Sequence, residues 1–294
     1  MKYIFVTALL LANLSHSFSQ ILKEELRSKT EKELAAIVEA SSAVVGLAAL
    51  DLTTGETFTI NEQKLFPQAS AIKIPILMEV FKQAHQRKLS LTDKKEVTRA
   101  VQVGGSGILQ QFQDPVTVSL RDLCTLMISH SDNTATNVII RTVGMERVNQ
   151  TLQELGCTHT KLQRYMIDTV AAAQGRENLS TPADAVKILQ LLYQGNFINR
   201  EVSDQVIGVM KKNPRKNSRI AAALPAHVPI AFKPGGLVGV STEWAIVYLH
   251  KKPYAIAVME TGRVPGDAGN TMEKLSQTVF NYFIRLGGTP YGSY

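Results

Sequence analysis

Ser70 and Lys73 stand three residues apart in the stretch Gln68-Ala69-Ser70-Ala71-Ile72-Lys73-Ile74-Pro75-Ile76-Leu77. On a helix these positions share one face a turn apart, with Cβ atoms about 5–6 Å from each other. A serine hydroxyl is a weak nucleophile at neutral pH and needs a base within hydrogen-bond reach. A lysine whose charged form is disfavoured by burial or by neighbouring cations supplies one. Backbone N–H groups at a helix start add donors for developing negative charge. The chemistry such a pair serves is covalent catalysis through the serine. Alone, S-x-x-K more often marks an ordinary helix start with a solvent-facing lysine.

Two further stretches bear on it. Ser131-Asp132-Asn133 ends one apolar helical pattern and opens another near Asp132. Ser, Asp and Asn are also the favoured capping residues, so a plain helix cap fits equally. Lys233-Pro234-Gly235-Gly236 follows a short strand pattern and precedes more strand, where Pro-Gly favours a turn. Each stretch is weak alone; their order and spacing carry the weight.

The elements that must position these residues follow from periodicity. Ile21, Leu22, Leu26, Leu34, Ile37 and Val38 recur at helical spacing. Residues 43–52 and 56–60 read as a hairpin turned at Gly55. The Ser70 helix runs to about Arg87, with an irregular start because Pro75 lacks a donor. From 93 to 213 the pattern is mostly helical, with starts at Ser119, where an acid follows three residues on, and at Thr181-Pro182. Gly104-Gly105-Ser106-Gly107 reads as a loop and lacks the residues of a phosphate loop. Strand signals return at 230–233, 243–249 and 254–259, followed by a helix over 271–286 and a loose tail. The economical arrangement is α+β: an antiparallel sheet built from both termini, flanked by helices, with an inserted all-helical lobe. A cleft between the lobes is the expected ligand site.

The chain of 294 residues is long enough for a full core, and 45% apolar and 19% charged residues are ordinary for a globular protein. Net charge is +7, but the densest basic stretch, residues 211–216, has no interleaved aromatics, which argues against nucleic-acid binding. Residues 1–19 read as an export leader. Lys2 precedes an apolar run, and Ser17-Phe18-Ser19 offers small residues for cleavage before Gln20. No later run approaches the ~20 residues of a membrane span. The mature chain is expected to be periplasmic or secreted, soluble and monomeric. Cys124 and Cys157 are expected to be free buried thiols. No metal site is expected, since the six histidines are scattered without an H-x-x-x-H pair.

The triple S-x-x-K, S-D-N and Lys-x-Gly resembles the serine β-lactamases and penicillin-binding proteins, class A β-lactamases most of all. The resemblance extends over most of the mature chain, including Arg121-Asp122-Leu123, Ser131 to Asn137, Leu155-Gly156 and Leu162-Gln163-Arg164. It implies one catalytic domain over 20–294, with an α/β lobe at about 20–69 and 216–294 and a helical lobe at about 70–215. It implies that Ser70 attacks a lactam carbonyl, that Lys73 accepts or relays the proton, and that Ser131 passes a proton to the leaving nitrogen. It implies substrate contacts from Asn133, Lys233, Gly235 and Gly236, with the N–H groups of Ser70 and Gly236 as oxyanion hole, and no cofactor.

Two departures qualify this. Pro234 replaces a hydroxyl residue that helps hold a substrate carboxylate, with Ser241 or Thr242 as substitutes. Met166 stands where class A enzymes carry the glutamate that orients the hydrolytic water, and a thioether is no base. Asp168 is the nearest carboxylate in sequence, either as a displaced deacylation base or as a loop acid paired with Arg164. Glu177 and Asn178 are expected to close that loop. The expectation is a β-lactam-opening acyl-serine hydrolase, slow in deacylation. The alternatives are a D,D-peptidase or penicillin-binding relative acting on cell-wall D-Ala-D-Ala peptides, and a non-catalytic β-lactam binder.

Overall fold

The computed structural model describes residues 2–264 and 269–287, with side chains from Gln20 onward. The leader expected over 1–19 and the tail beyond 287 fall outside these described residues or side chains. Helix α1 (Lys2–Glu39) leads into β1 (Val44–Asp51), and Gly55, at φ +79°, turns the chain back into β2 (Thr57–Ile60). A short β3 (Phe66–Pro67) and a 3-10 turn (Ala69–Ile72) precede α2 (Lys73–His85). Pro75 has no N–H to give the carbonyl of Ala71, four residues back. The regular helix therefore starts at Lys73 and the turn before it tightens to 3-10.

The inserted lobe is not all-helical. Strands β4 (Lys94–Val97) and β5 (Val116–Ser119) form an antiparallel ribbon before α3 (Leu120–Ser129), α4 (Asn133–Val143), α5 (Met145–Glu154) and α6 (Thr169–Ala173). Strand β6 (Leu179–Ser180) pairs with β3, and α7 (Pro182–Gln194), α8 (Arg200–Met210) and α9 (Arg219–Ala222) follow. The capping residues act as their types predict. Ser119 accepts from the N–H of Asp122, Asp132 from that of Ala135 and Thr181 from that of Asp184.

The chain closes with β7 (Ile230–Leu237), β8 (Val240–Val247), β9 (Tyr254–Thr261) and α10 (Thr271–Gly287). The sheet runs β2-β1-β9-β8-β7, antiparallel throughout, so the two ends of the chain meet at β1 and β9. Alternation divides the core. Ala255, Ala257 and Met259 join Trp244 and Ile246 on the face covered by α7, whereas Tyr254, Ile256 and Val258 pack with Leu275, Val279 and Phe283 of α10.

Lys233-Pro234-Gly235-Gly236 is strand rather than turn. Pro234 lies opposite Glu243 in β7, and the hairpin bends at Val238-Gly239 instead. Proline is tolerated there because β7 is an edge strand. Cys124 and Cys157 are both free and buried, and burial raises each thiol to about 12.

Candidate active site

Ser70 lies in the middle of the 3-10 turn, where residues i and i+3 eclipse, so Lys73 falls beneath it. Lys73 Nζ is 3.0 Å from Ser70 Oγ, 3.1 Å from Ser131 Oγ, 2.7 Å from Ser131 O and 3.0 Å from Asn133 Oδ1. Ser131 stands at φ +53° between α3 and α4, a left-handed conformation rare for a non-glycine residue. That backbone turns both its carbonyl and its hydroxyl to Lys73. From the other side, Lys233 Nζ reaches Ser131 Oγ at 3.1 Å and its neighbour's carbonyl, Pro234 O, at 2.8 Å. Ser70, Lys73, Ser131, Asn133 and Lys233 are thus gathered at one place from a turn, two helix starts and a strand.

The lysines are fully buried. Burial above all, then the field of Lys233, holds Lys73 well below the ordinary lysine range, against the opposing pull of Asp132. Burial also pushes Lys233 down to about 7, with Glu243 pulling it back up. Asp132 is committed to structure: Oδ2 accepts from the N–H groups of Ile108 and Leu109 at 2.7 and 2.9 Å. It pins the 104–107 loop, whose Gly104 carbonyl accepts from Asn133 Nδ2 at 3.0 Å.

The turn carrying Ser70 is fastened to the sheet. Ala69, at φ +45°, sets its entry, and Gln68 O accepts from Ala71 N at 2.9 Å and from Thr242 Oγ1 at 3.0 Å. The Gln68 amide is buried, giving Nε2 to Phe66 O at 2.9 Å and receiving Trp244 Nε1 on Oε1 at 2.9 Å. A Cβ on Gly235 would fall 2.5 Å from Gln68 O and 2.8 Å from Ala71 N. Only glycine therefore lets β7 approach the nucleophile turn this closely. The hydroxyl of Thr242 is engaged by Gln68, which leaves Ser241, opposite Gly236, as the other β8 hydroxyl lining the cleft. The cleft of about 440 Å³ is lined by Ser70, Ser131, Lys233, Gly235, Gly236 and Ser241, among others.

The loop after Arg164 differs from the pairing expected for it. Arg164 grips Glu177 rather than Asp168, with Nε to Oε1 and Nη2 to Oε2 both at 3.0 Å. Asn178 closes the loop by accepting from the N–H groups of Gln163 and Arg164 and donating to Arg164 O. Asp168 caps α6, accepting from Ala171 N at 2.9 Å. Met166 is buried, and its N–H and carbonyl pair with Asn137 Oδ1 at 2.8 Å and Nδ2 at 3.1 Å.

One cleft residue was not singled out from sequence. Glu243 is fully buried; it accepts from Ser218 Oγ, from Arg219 N at 2.9 Å and from Ile220 N at 3.4 Å. Burial raises its carboxyl to about 7 against those donors. Only the strand register, not any motif, places it beside the lysine strand. Among the described residues no cluster of three or more His, Cys, Asp or Glu is arranged to hold a metal ion. Nor is any helix among them long and apolar enough to cross a membrane.

The β-lactamase enzyme family model matches residues 29–283. An imipenem-hydrolysing β-lactamase from Enterobacter cloacae is 28% identical over 231 residues, 74% of this chain and 76% of its own. The crystal structure of a β-lactamase from Sphaerobacter thermophilus superposes with a TM-score of 0.77 at 29% identity, covering 86% of this chain and 96% of that one. The fold is also shared with PBP-A, in a leucine-to-glutamate mutant solved as an acyl-enzyme complex with penicillin G. That match has a TM-score of 0.79 at 24% identity and covers 89% and 97%. With the triad of motifs assembled in one cleft and the family model matched over most of its length, the chain belongs to the β-lactamase enzyme family, as a serine hydrolase of class A.

Proposed function

We propose that the protein opens β-lactam rings through an acyl-enzyme on Ser70 and releases that acyl-enzyme slowly. The observation that carries the acylation half is the contact of Lys73 Nζ with Ser70 Oγ at 3.0 Å inside a buried, cation-flanked site. Lys73 in its neutral form takes the Ser70 proton as the oxygen attacks the lactam carbonyl. Ser131, bridging Lys73 and Lys233, passes a proton to the departing nitrogen. Lys233 and Ser241 receive the substrate carboxylate. The N–H groups of Ser70 and Gly236 face the oxyanion, with Gly235 allowing the close approach. Asn133 keeps one Nδ2 hydrogen free of Gly104 for the substrate's side-chain amide.

Met166 supports the slow release, because no carboxylate stands at that place in the loop. The same observation favours a second reading: a penicillin-binding or D,D-peptidase role on cell-wall D-Ala-D-Ala peptides, with β-lactams as trapped acyl donors. PBP-A, whose mutant is described as an acyl-enzyme complex with penicillin G, is a structural precedent for the trapped state.

Intact-protein mass spectrometry after mixing with a penicillin and a cephalosporin tests both. An adduct absent from Ser70→Ala and persisting for minutes to hours is expected. An adduct that clears within seconds would overturn the slow release, and one that forms on Ser70→Ala would overturn the nucleophile.

A further inference from the structure

Ser131 Oγ lies 3.1 Å from each of two buried lysine amines, those of Lys73 and Lys233. Lys233 has no carboxylate at ion-pair distance among the described residues; its amine gives hydrogen bonds to Ser131 Oγ and Pro234 O. A buried cation left wholly uncompensated is costly and sheds its proton. Glu243 lies opposite Pro234, on the other face of the sheet from the Lys233–Trp244 pair, and both Lys233 and Glu243 line the cleft that wraps the edge strand β7. Its carboxylate is fixed by three donors from the start of α9, which, with the field of Lys233, favour the ionised form against the burial that raises it. Of the other titratable or charged groups nearby, Arg219 on α9 and His130 at the end of α3 are exposed, and the buried Asp132 acts on Lys73 and is held by the N–H groups of Ile108, Leu109 and Ala135. Strand β9 offers Val258 opposite Glu243, and α10 lines the cleft with Met272, both uncharged.

We infer that Glu243 is the counter-ion of Lys233 and a positioning residue for acylation: its charge keeps the cation on Lys233, and that cation leaves Lys73 as the neutral amine beside Ser70. The inference rests, in its last step, on the acyl-serine reading. The directions agree. The field of Glu243 raises Lys233, and the field of Lys233 lowers Lys73. The charge on the lysine pair is thereby partitioned: one amine stays charged for the substrate, the other stays free to take a proton.

The test is the pH profile of acylation by a chromogenic cephalosporin in wild type, Glu243→Gln, Lys233→Arg and the double variant. Lys233 loses its proton as pH rises, so removing its counter-ion moves the alkaline limb to lower pH. A displacement of one pH unit makes Glu243→Gln about tenfold slower on that limb. Arginine stays charged without help, so Lys233→Arg and the double variant should share one limb. Coincident limbs in wild type and Glu243→Gln, or a displacement that survives in the arginine background, would overturn the inference. A titration of the lysine 13Cε resonances, with Lys233 assigned by its loss in Lys233→Arg, reads the charge without any reaction. Its midpoint should fall in Glu243→Gln; an unchanged midpoint refutes the counter-ion role. Absence of acylation at every pH would instead sink the acyl-serine reading while the titration still decides this one.

Discussion

The indole N–H of Trp244 donates to the side-chain carbonyl of Gln68 at 2.9 Å, a buried bond that ties strand β8 to the turn that presents Ser70. Thr242, two residues before Trp244 and on the same face of β8, holds the main chain of that turn through Gln68 O. The nucleophile turn is therefore held to the sheet in part by Gln68 and Trp244, which do not line the cleft.

Trp244→Phe should accordingly damage rate as well as stability. It leaves Gln68 Oε1 buried without a donor, which costs about 1–3 kcal/mol, read as a lower midpoint in urea. A displacement of the turn by about 1 Å lowers acylation by about 10². A folded Trp244→Phe protein that acylates at the wild-type rate would show that the bond serves stability alone.

The deacylation half is tested at Met166 and Asp168 together. Met166→Glu restores a carboxylate where the loop is held by Asn137, and general-base assistance is worth about 10²–10⁴. The mass-spectrometric adduct should clear at least about tenfold faster than in wild type. Burying that carboxylate should also lower the melting temperature. Asp168→Asn keeps the cap of α6, because Asn and Asp cap equally well, and should leave both stability and adduct lifetime unchanged. A longer-lived adduct in Asp168→Asn would make Asp168 the base after all.

Much of this site is legible in the sequence. Ser70, Lys73, Ser131 and Lys233 carry side chains whose chemistry and order along the chain are informative. The caps at Ser119, Asp132 and Thr181 follow from residue type. What escaped was set by partners distant in sequence. Arg164 had Asp168 four residues away, yet Glu177, thirteen away, offers a carboxylate in the fork geometry of a guanidinium. Glu243 looks like an ordinary strand residue until the register sets it opposite Pro234. The β4–β5 ribbon begins Lys94-Lys95-Glu96, without the apolar alternation that would mark a half-buried strand. The positive φ of Ser131, which turns its hydroxyl to both lysines, has no glycine to announce it.

Asp51, at the end of β1, supplies a prediction about stability rather than rate. It is fully buried and accepts from Lys252 Nζ at 2.8 Å, Thr53 N at 2.7 Å and Thr54 Oγ1 at 2.8 Å. Burial pulls its carboxyl upward, but Lys252 and the two threonines outweigh this and hold it well below the usual 3.8. A carboxyl lowered in the folded state binds fewer protons there than in the unfolded chain. Its contribution is therefore full above about pH 4 and is lost as pH falls further. Asp51→Asn should lose about 2 kcal/mol at pH 7, the scale of a hydrogen bond to a charged group, and nearly as much at pH 5. The gap between wild type and variant should then narrow below pH 4, where the unfolded wild-type chain takes up a proton that the folded carboxyl does not. A gap in unfolding free energy that stays constant from pH 7 to pH 3 would mean that the residue acts through shape and not through its charge.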